Sequence, residues 1–328
     1  MAGVEIVEVT SSEDGMRLDR WFKARYPALG HGALQKLLRT GQVRLDGARA
    51  KPGARVEAGQ SVRVPPLGLD EAPRERRGVS QRDAEMVRGL VIHRDASVIA
   101  LNKPAGLAVQ GGTKTERHLD AMLDALAFGG ERPRLVHRLD RDTSGVLVLA
   151  RTRKAAAALG RAFKSRDTVK VYWALVRGVP KPRAGHIELA LKKAGRAGEQ
   201  RVVPADDPRE EGVQAARTDY RVVAQAGMKA SWVAMRPLTG RTHQLRAHMA
   251  AIGYPILGDG KYGGEAAFIA DDLAARMHLH ARGLRLPHPD GGQLELVADL
   301  AGHMRDSFAY FGFSAADEPD PFEAFEDV

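Results

Sequence analysis

Residues 135–150 read LVHRLDRDTSGVLVLA, a charge-rich loop (His137–Gly145) that runs straight into an apolar strand. Asp140 lies in this loop between Arg138 and Arg141, with Asp142 close behind. Neighbouring arginines favour the ionised form of a carboxyl group. A positioned, ionised carboxylate can act as a nucleophile or a base. A carboxylate in such a loop also caps or braces a turn, and on spacing alone that is the simpler role for both aspartates.

Two other chemistries find little support. His137-Arg138 followed by Asp140 looks superficially like the HRD loop of protein kinases, but Leu139 separates the arginine from the aspartate. The chain also has no upstream glycine-rich nucleotide loop and no DFG segment. His243 and His248 are five residues apart and lack the glutamate of the helical zinc motif, so no metal site is expected. Both read as polar side chains of the fold or of a binding surface, as do His137, His278 and His280.

The elements that must hold Asp140 follow from periodicity. Strands are predicted at 90–93, 98–102, 146–150, 169–176, 218–223 and 231–237, and helices at 118–127, 154–164 and 242–251. No regular βαβ alternation is visible, which argues against a doubly wound parallel sheet. Ahead of this body, residues 15–66 read as a separate module. Leu18, Trp21, Phe22 and Tyr26 carry helical spacing, and Pro27 ends that helix. A second helix is predicted at 31–40, with Leu34, Leu37 and Leu38 on one side and Gly41 as its cap. Short strands at 43–45 and 61–64 are separated by Asp46-Gly47 and Pro52-Gly53 turns. Residues 67–88 read as a linker with a short helix near 81–88, residues 89–313 as the main domain, and 314–328 as an acidic tail expected to be disordered.

Composition adds a partner class. The 328 residues carry a formal net charge of +9 although the acidic tail contributes six carboxylates and no Lys or Arg. The N-terminal module holds 11 Lys or Arg against 3 acidic residues, and Lys36, Arg39 and Arg44 gather at one helix end and the following strand. Such a basic surface suits a polyanion, nucleic acid above all. The absence of cysteine excludes disulfides, thiolate zinc sites and a cysteine nucleophile, and suits a cytoplasmic protein. No signal peptide or membrane span is expected.

The string HRLDRDTSG closely resembles the signature of the RluA family of pseudouridine synthases, which includes the synthases of large-subunit ribosomal RNA. Other blocks resemble that family in the same order: 102–109 (NKPAGLAV), 170–178 (KVYWALVRG), 237–248 (PLTGRTHQLRAH), 254–262 (YPILGDGKY) and 277–289 (MHLHARGLRLPHP). The Gln110-Gly111-Gly112 run looks more like the C type of large-subunit synthase than the D type. Residues 15–66 similarly resemble the S4-type (α-L) RNA-binding domain that often precedes such enzymes.

The resemblance implies an α+β fold, a mixed, mostly antiparallel curved sheet forming a basic cleft. It implies isomerisation of specific uridines in 23S ribosomal RNA or its large-subunit precursor, with no cofactor and by a protein expected to be a monomer. Asp140 resembles the family's catalytic aspartate, and Arg246 the arginine paired with it, for which a bidentate contact is expected. Tyr172 resembles the tyrosine that lies against the target base. Arg138 is expected to fill the gap left by a flipped nucleotide, and Arg241 to contact phosphate. The alternative is a non-catalytic ribosome-assembly protein on the same scaffold. The joint presence of Asp140, Tyr172 and Arg246 argues against it.

Overall fold

The computed structural model describes residues 3–51, 53–67, 78–111, 115, 117–195, 201–270 and 273–325. Residues 68–77 of the expected linker, Pro52 and Gly112 lie outside the described residues. The chain divides into two compact units, Met1–Gly78 and Val79–Val328.

In the first unit two helices, Leu18–Arg25 and His31–Arg39, form where the i, i+3, i+4 spacing places them. Leu18, Trp21, Phe22, Leu34 and Leu38 are buried in one core with Val43, Val56 and Val62. Gly41, at φ 72°, takes the left-handed conformation that ends the second helix. A four-stranded sheet runs in the order Glu5–Glu8, Ser61–Val64, Arg44–Leu45, Ala48–Arg49. The module therefore begins before residue 15. Its first strand, EIVE, buries only Val7, too little alternation to be read from sequence.

The second unit is built on a ten-stranded sheet. Its main path runs Ala184–Glu188, Arg217–Ala226, Ala230–Pro237, Val169–Arg177, Leu279–Pro287, Ser144–Ala150, Val98–Lys103, Val91–Arg94. Every pairing on this path is antiparallel except that of Leu279–Pro287 with Ser144–Ala150. Period-two alternation sends Ile99, Leu101, Leu147 and Leu149 into one core with Leu119, Leu123 and Leu126. Val98, Ala100, Val146 and Val148 enter another with Ala155 and Leu159 of the helix Arg153–Ala162. The helix foreseen at 118–127 is a short α-turn, Leu119–Met122, continued by a 3₁₀ turn, Leu123–Leu126.

The central strand Leu279–Pro287 escaped the periodicity reading because both its faces are buried and its polar residues are not on a solvent face. Each finds a partner instead. His280 joins Ser144 Oγ at 2.8 Å and Ala298 O at 3.0 Å. The neighbouring His278 joins Ser307 Oγ at 2.8 Å. Arg282 donates to Ala298 O at 2.6 Å and stacks over Trp173. The two histidines are satisfied core polar groups, whereas Arg282 keeps one buried nitrogen, Nε, without a hydrogen-bond partner among the described residues. The parallel pairing also explains a glycine of the DTSG string. Gly145 has φ 107°, and a Cβ there would stand 2.2 Å from Ala281 O. A side chain at this point would push the strand that follows the Asp140 loop away from the sheet centre.

The expectation of a disordered acidic tail is overturned through residue 325. Phe322 and Phe325 are buried beside Trp173, Trp232, Phe308 and Phe313. Glu318 is paired with Arg221, and the Arg236 guanidinium lies over the Phe325 ring. Average composition hid the phenylalanines that anchor the stretch and the basic groups that meet its carboxylates.

Candidate active site

Asp140 sits in the loop between Arg134–Leu135 and Ser144–Ala150. The loop is held from below by Lys103, which is fully buried. Its ammonium donates to Pro104 O and Leu107 O at 2.9 Å and to Arg141 O at 3.0 Å. Gly106 N–H also donates to Arg141 O, at 2.9 Å. Burial pushes the Lys103 pKa down to about 8 against the pull of Asp142 and Asp140. The block at 102–109 thus acts as a clasp on the residue next to Asp140. Sequence reading noted the block but assigned Lys103 no role.

Arg246 projects from the helix Gln244–Ala251 and is nearly buried. One of its arms, Nη1, reaches Asp140 Oδ2 at 3.4 Å. The expected bidentate contact with Asp140 is not what the geometry shows. The Nε–Nη2 edge of the guanidinium is taken by Asp259, at 2.6 and 2.8 Å. That leaves only Nη1 for Asp140. Burial acts to lower the Arg246 pKa, but the hydrogen bonds to Asp259 and the charges of Asp259 and Asp140 outweigh it, so the net shift is upward. Asp259 is itself buried and caps the short helical turn Gly260–Gly263. Gly258, just before it, has φ 72° and no room for a Cβ, which would meet Arg276 O at 1.8 Å. The Tyr262 ring lies 4.9 Å from the Arg246 guanidinium carbon. Asp259, Tyr262 and Arg246 therefore form one braced unit beside Asp140.

Tyr172, on the strand Val169–Arg177, lines a cavity of about 370 Å³ together with Asp140, Arg138, Arg241 and Arg246. Burial, then the nearby Asp140, push its hydroxyl pKa up. Among the described residues that hydroxyl has no hydrogen-bond partner. Arg138 and Arg241 are exposed at the rim, and Arg241 Nε is anchored on Ala215 O at 3.0 Å. A second, adjoining hollow of about 1000 Å³ shares Arg138, Asp140 and Arg246 and adds Arg117, Lys261 and Arg276. Five predicted residues thus converge on one basic cleft.

The histidines separate. His248 is buried between Thr218 Oγ1 and Leu189 O, and His137 accepts from Val148 N–H at 2.8 Å, so both are structural. His243 is different: its Nε2 stands 3.7 Å from Asp140 Oδ2. Its φ of 53° is rare for a residue other than glycine. Neither its nearness to Asp140 nor this conformation is visible in sequence.

Lys36, Arg39 and Arg44 belong to the first unit and are not part of this cleft's lining. All three are exposed there, Lys36 and Arg39 in the last helical turn. Arg44 pairs across the sheet with Arg49 on one side and Arg63 on the other. Among the described residues none of these three arginines has a carboxylate partner. Like charges directly opposite are unfavourable unless an anion offsets them.

A family model described as RNA pseudouridylate synthase matches residues 97–251. The chain is 33% identical over 296 residues to ribosomal large subunit pseudouridine synthase C of Escherichia coli (strain K12), covering 89% of this chain and 91% of that protein. It is 33% identical over 282 residues to the protein of the same name from Rickettsia conorii, covering 84% and 91%. Among solved structures, human RNA pseudouridylate synthase domain containing 4 aligns with a TM-score of 0.58 and 28% identity, over 70% of this chain and 97% of that one. A clasped aspartate beside a braced arginine, in a fold shared with that human protein and a sequence a third identical to curated synthases over most of its length, leads to one conclusion: this chain belongs to the RluA family of pseudouridine synthases.

Proposed function

We propose that the protein converts specific uridines of 23S ribosomal RNA, or of the large-subunit precursor, to pseudouridine. The observation that carries this reading is the placement of Asp140 at the junction of two basic hollows, next to the Arg246 guanidinium and in one cavity with the Tyr172 ring. The bacterial relatives are named for activity on the large ribosomal subunit.

In this reading the target nucleotide leaves its stack and enters the cavity, and Arg138 takes its place in the RNA. The Asp140 carboxylate acts on the ribose, the bond from C1′ to N1 breaks, and the uracil turns so that C5 bonds to C1′. The proton lost from C5 is balanced by one gained at N1, so no atom or electron is exchanged with a second reactant. Tyr172 supplies a stacking face and a hydroxyl near the base. Arg246 holds the carboxylate, and Arg241 meets a phosphate.

The basic face of the first unit, which we read as an S4-type domain comprising residues 15–66 and the preceding strand Glu5–Glu8, supplies affinity through Lys36, Arg39 and Arg44. The catalytic domain is the second unit, residues 89–313 together with the C-terminal segment that buries Phe322 and Phe325. We take the protein to act as a monomer in the cytoplasm; among the described residues no helix is long and apolar enough to cross a membrane. Incubation with unmodified 23S ribosomal RNA, followed by mapping of pseudouridine, tests the proposal. Conversion at discrete positions is expected; tight binding without conversion would leave the non-catalytic alternative.

A further inference from the structure

We infer that His243 is a positioning residue that donates a hydrogen bond to Asp140, in the tautomer imposed by Tyr262, and so leaves Oδ1 as the reacting oxygen of the carboxylate. This rests on the reading that Asp140 is the catalytic carboxylate.

The inference comes from an account of hydrogens. Val202 N–H, from the hairpin strand Arg201–Pro204, donates to the Tyr262 hydroxyl oxygen at 2.9 Å. The same oxygen lies 2.9 Å from His243 Nδ1. Among the described residues the hydroxyl has no third partner. If Nδ1 carried the proton, the hydroxyl hydrogen would have no acceptor, and the Nε2 lone pair would face the Asp140 carboxylate. If the hydroxyl donates to Nδ1, every hydrogen finds an acceptor, and Nε2–H points at Asp140 Oδ2. Burial lowers the His243 pKa, consistent with a neutral ring.

The Nε2 to Oδ2 separation of 3.7 Å and the Arg246 Nη1 contact at 3.4 Å are both long. Contacts of this kind tighten when substrate closes on them. Both fall on Oδ2. No donor among the described residues reaches Oδ1, so that oxygen is free to act on the sugar. The left-handed backbone of His243, φ 53° and ψ 21°, is what turns the ring between Tyr262 and Asp140.

The test uses the full chain and unmodified 23S ribosomal RNA, and measures single-turnover rate, RNA affinity and melting temperature. Asparagine tolerates the left-handed backbone and loses the distal donor. Glutamine places an amide N–H near the lost Nε2. His243→Asn is expected to slow single turnover by roughly 10- to 100-fold, the worth of a hydrogen bond to a charged group, with little change in affinity. His243→Gln is expected to recover most of that loss. Tyr262→Phe keeps the ring over Arg246, removes the tautomer lock, and is expected to slow the same step. Combined with His243→Asn it should add little further loss. A His243→Asn variant that turns over at the parental rate overturns the inference. So does equal loss in the Asn and Gln variants when both melt near the parent, and so does a full-rate Tyr262→Phe. An inactive parent would instead count against the proposed activity, and an active Asp140→Asn against the role of Asp140, so those failures are distinguishable from this one.

Discussion

Arg246 gives its forked edge to Asp259, at 2.6 and 2.8 Å, and only one remaining nitrogen to Asp140, at 3.4 Å. The arginine is thus fixed by one carboxylate in order to serve another. A planar fork on a buried partner defines the direction of the third nitrogen, which a flexible ammonium could not do.

Arg246→Lys keeps the charge and loses the fork. Single-turnover rate is expected to fall by at least about 100-fold, as for loss of a positioned charged group, with a smaller change in RNA affinity. Asp259→Ala leaves the guanidinium nearly buried without its main partner. It should cost about 3–5 kcal/mol of unfolding free energy, measurable by denaturant titration. A fully active Arg246→Lys, or an Asp259→Ala as stable as the parent, would contradict this arrangement.

Tyr172→Phe separates the hydroxyl from the ring. The hydroxyl faces the cavity with no partner among the described residues, and burial, then Asp140, push its pKa further up. The Phe variant is expected to bind RNA as the parent does and lose turnover by roughly 10²- to 10⁴-fold, the range of proton-transfer catalysis. Tyr172→Ala should also lose about 1–3 kcal/mol of binding through stacking. Near-normal turnover in the Phe variant would leave stacking as the ring's only role.

Deleting Met1–Gly78 removes the exposed Lys36 and Arg39 and the three aligned arginines. Ribosomal RNA binding should weaken, and the slope of log affinity against log salt should become shallower, by about 0.7–0.9 for each phosphate that is no longer neutralised. An unchanged slope would deny the first unit its proposed role.

Much of this site was legible because its chemistry is local in the chain. The HRLDRDTSG string carries Asp140, its flanking charge and Gly145, and the strand that follows is a continuous apolar run buried along its whole length. What could not be read depends on pairings between distant segments. Arg246 and Asp259 are 13 residues apart, and Lys103 and the carbonyl of Arg141 are 38 apart. Neither pairing leaves a periodic trace. The central strand Leu279–Pro287 was missed because a strand buried on both faces has no polar alternation, and its His280 and Arg282 look like surface residues until their partners are seen. The tail was misjudged by averaging. Its acidic residues suggested disorder, whereas Phe322 and Phe325 supply the burial that orders it.

Asp95 gives a pH test of the second unit. Burial would raise its pKa, but hydrogen bonds from His93, the Ser97 and Val98 N–H groups and His288 outweigh that and hold it at about 2. Because its folded value lies below its ordinary value of 3.8, Asp95 stabilises the fold fully above that value. The contribution, about 2 kcal/mol, is lost as pH falls from about 4 towards 2. The stability difference between parent and Asp95→Asn should therefore shrink across that window when followed by thermal or denaturant unfolding. A difference that stays constant from neutral pH to about pH 2 would show that the carboxylate is not held in this way.

The central claim is that Asp140 performs the chemistry, and the direct measurement is single-turnover pseudouridine formation by Asp140→Asn on unmodified 23S ribosomal RNA. The substitution changes size little and removes the carboxylate. The expected result is no pseudouridine above background, with RNA affinity and melting temperature close to those of the parent. Product formed at a rate comparable to the parent would contradict the account.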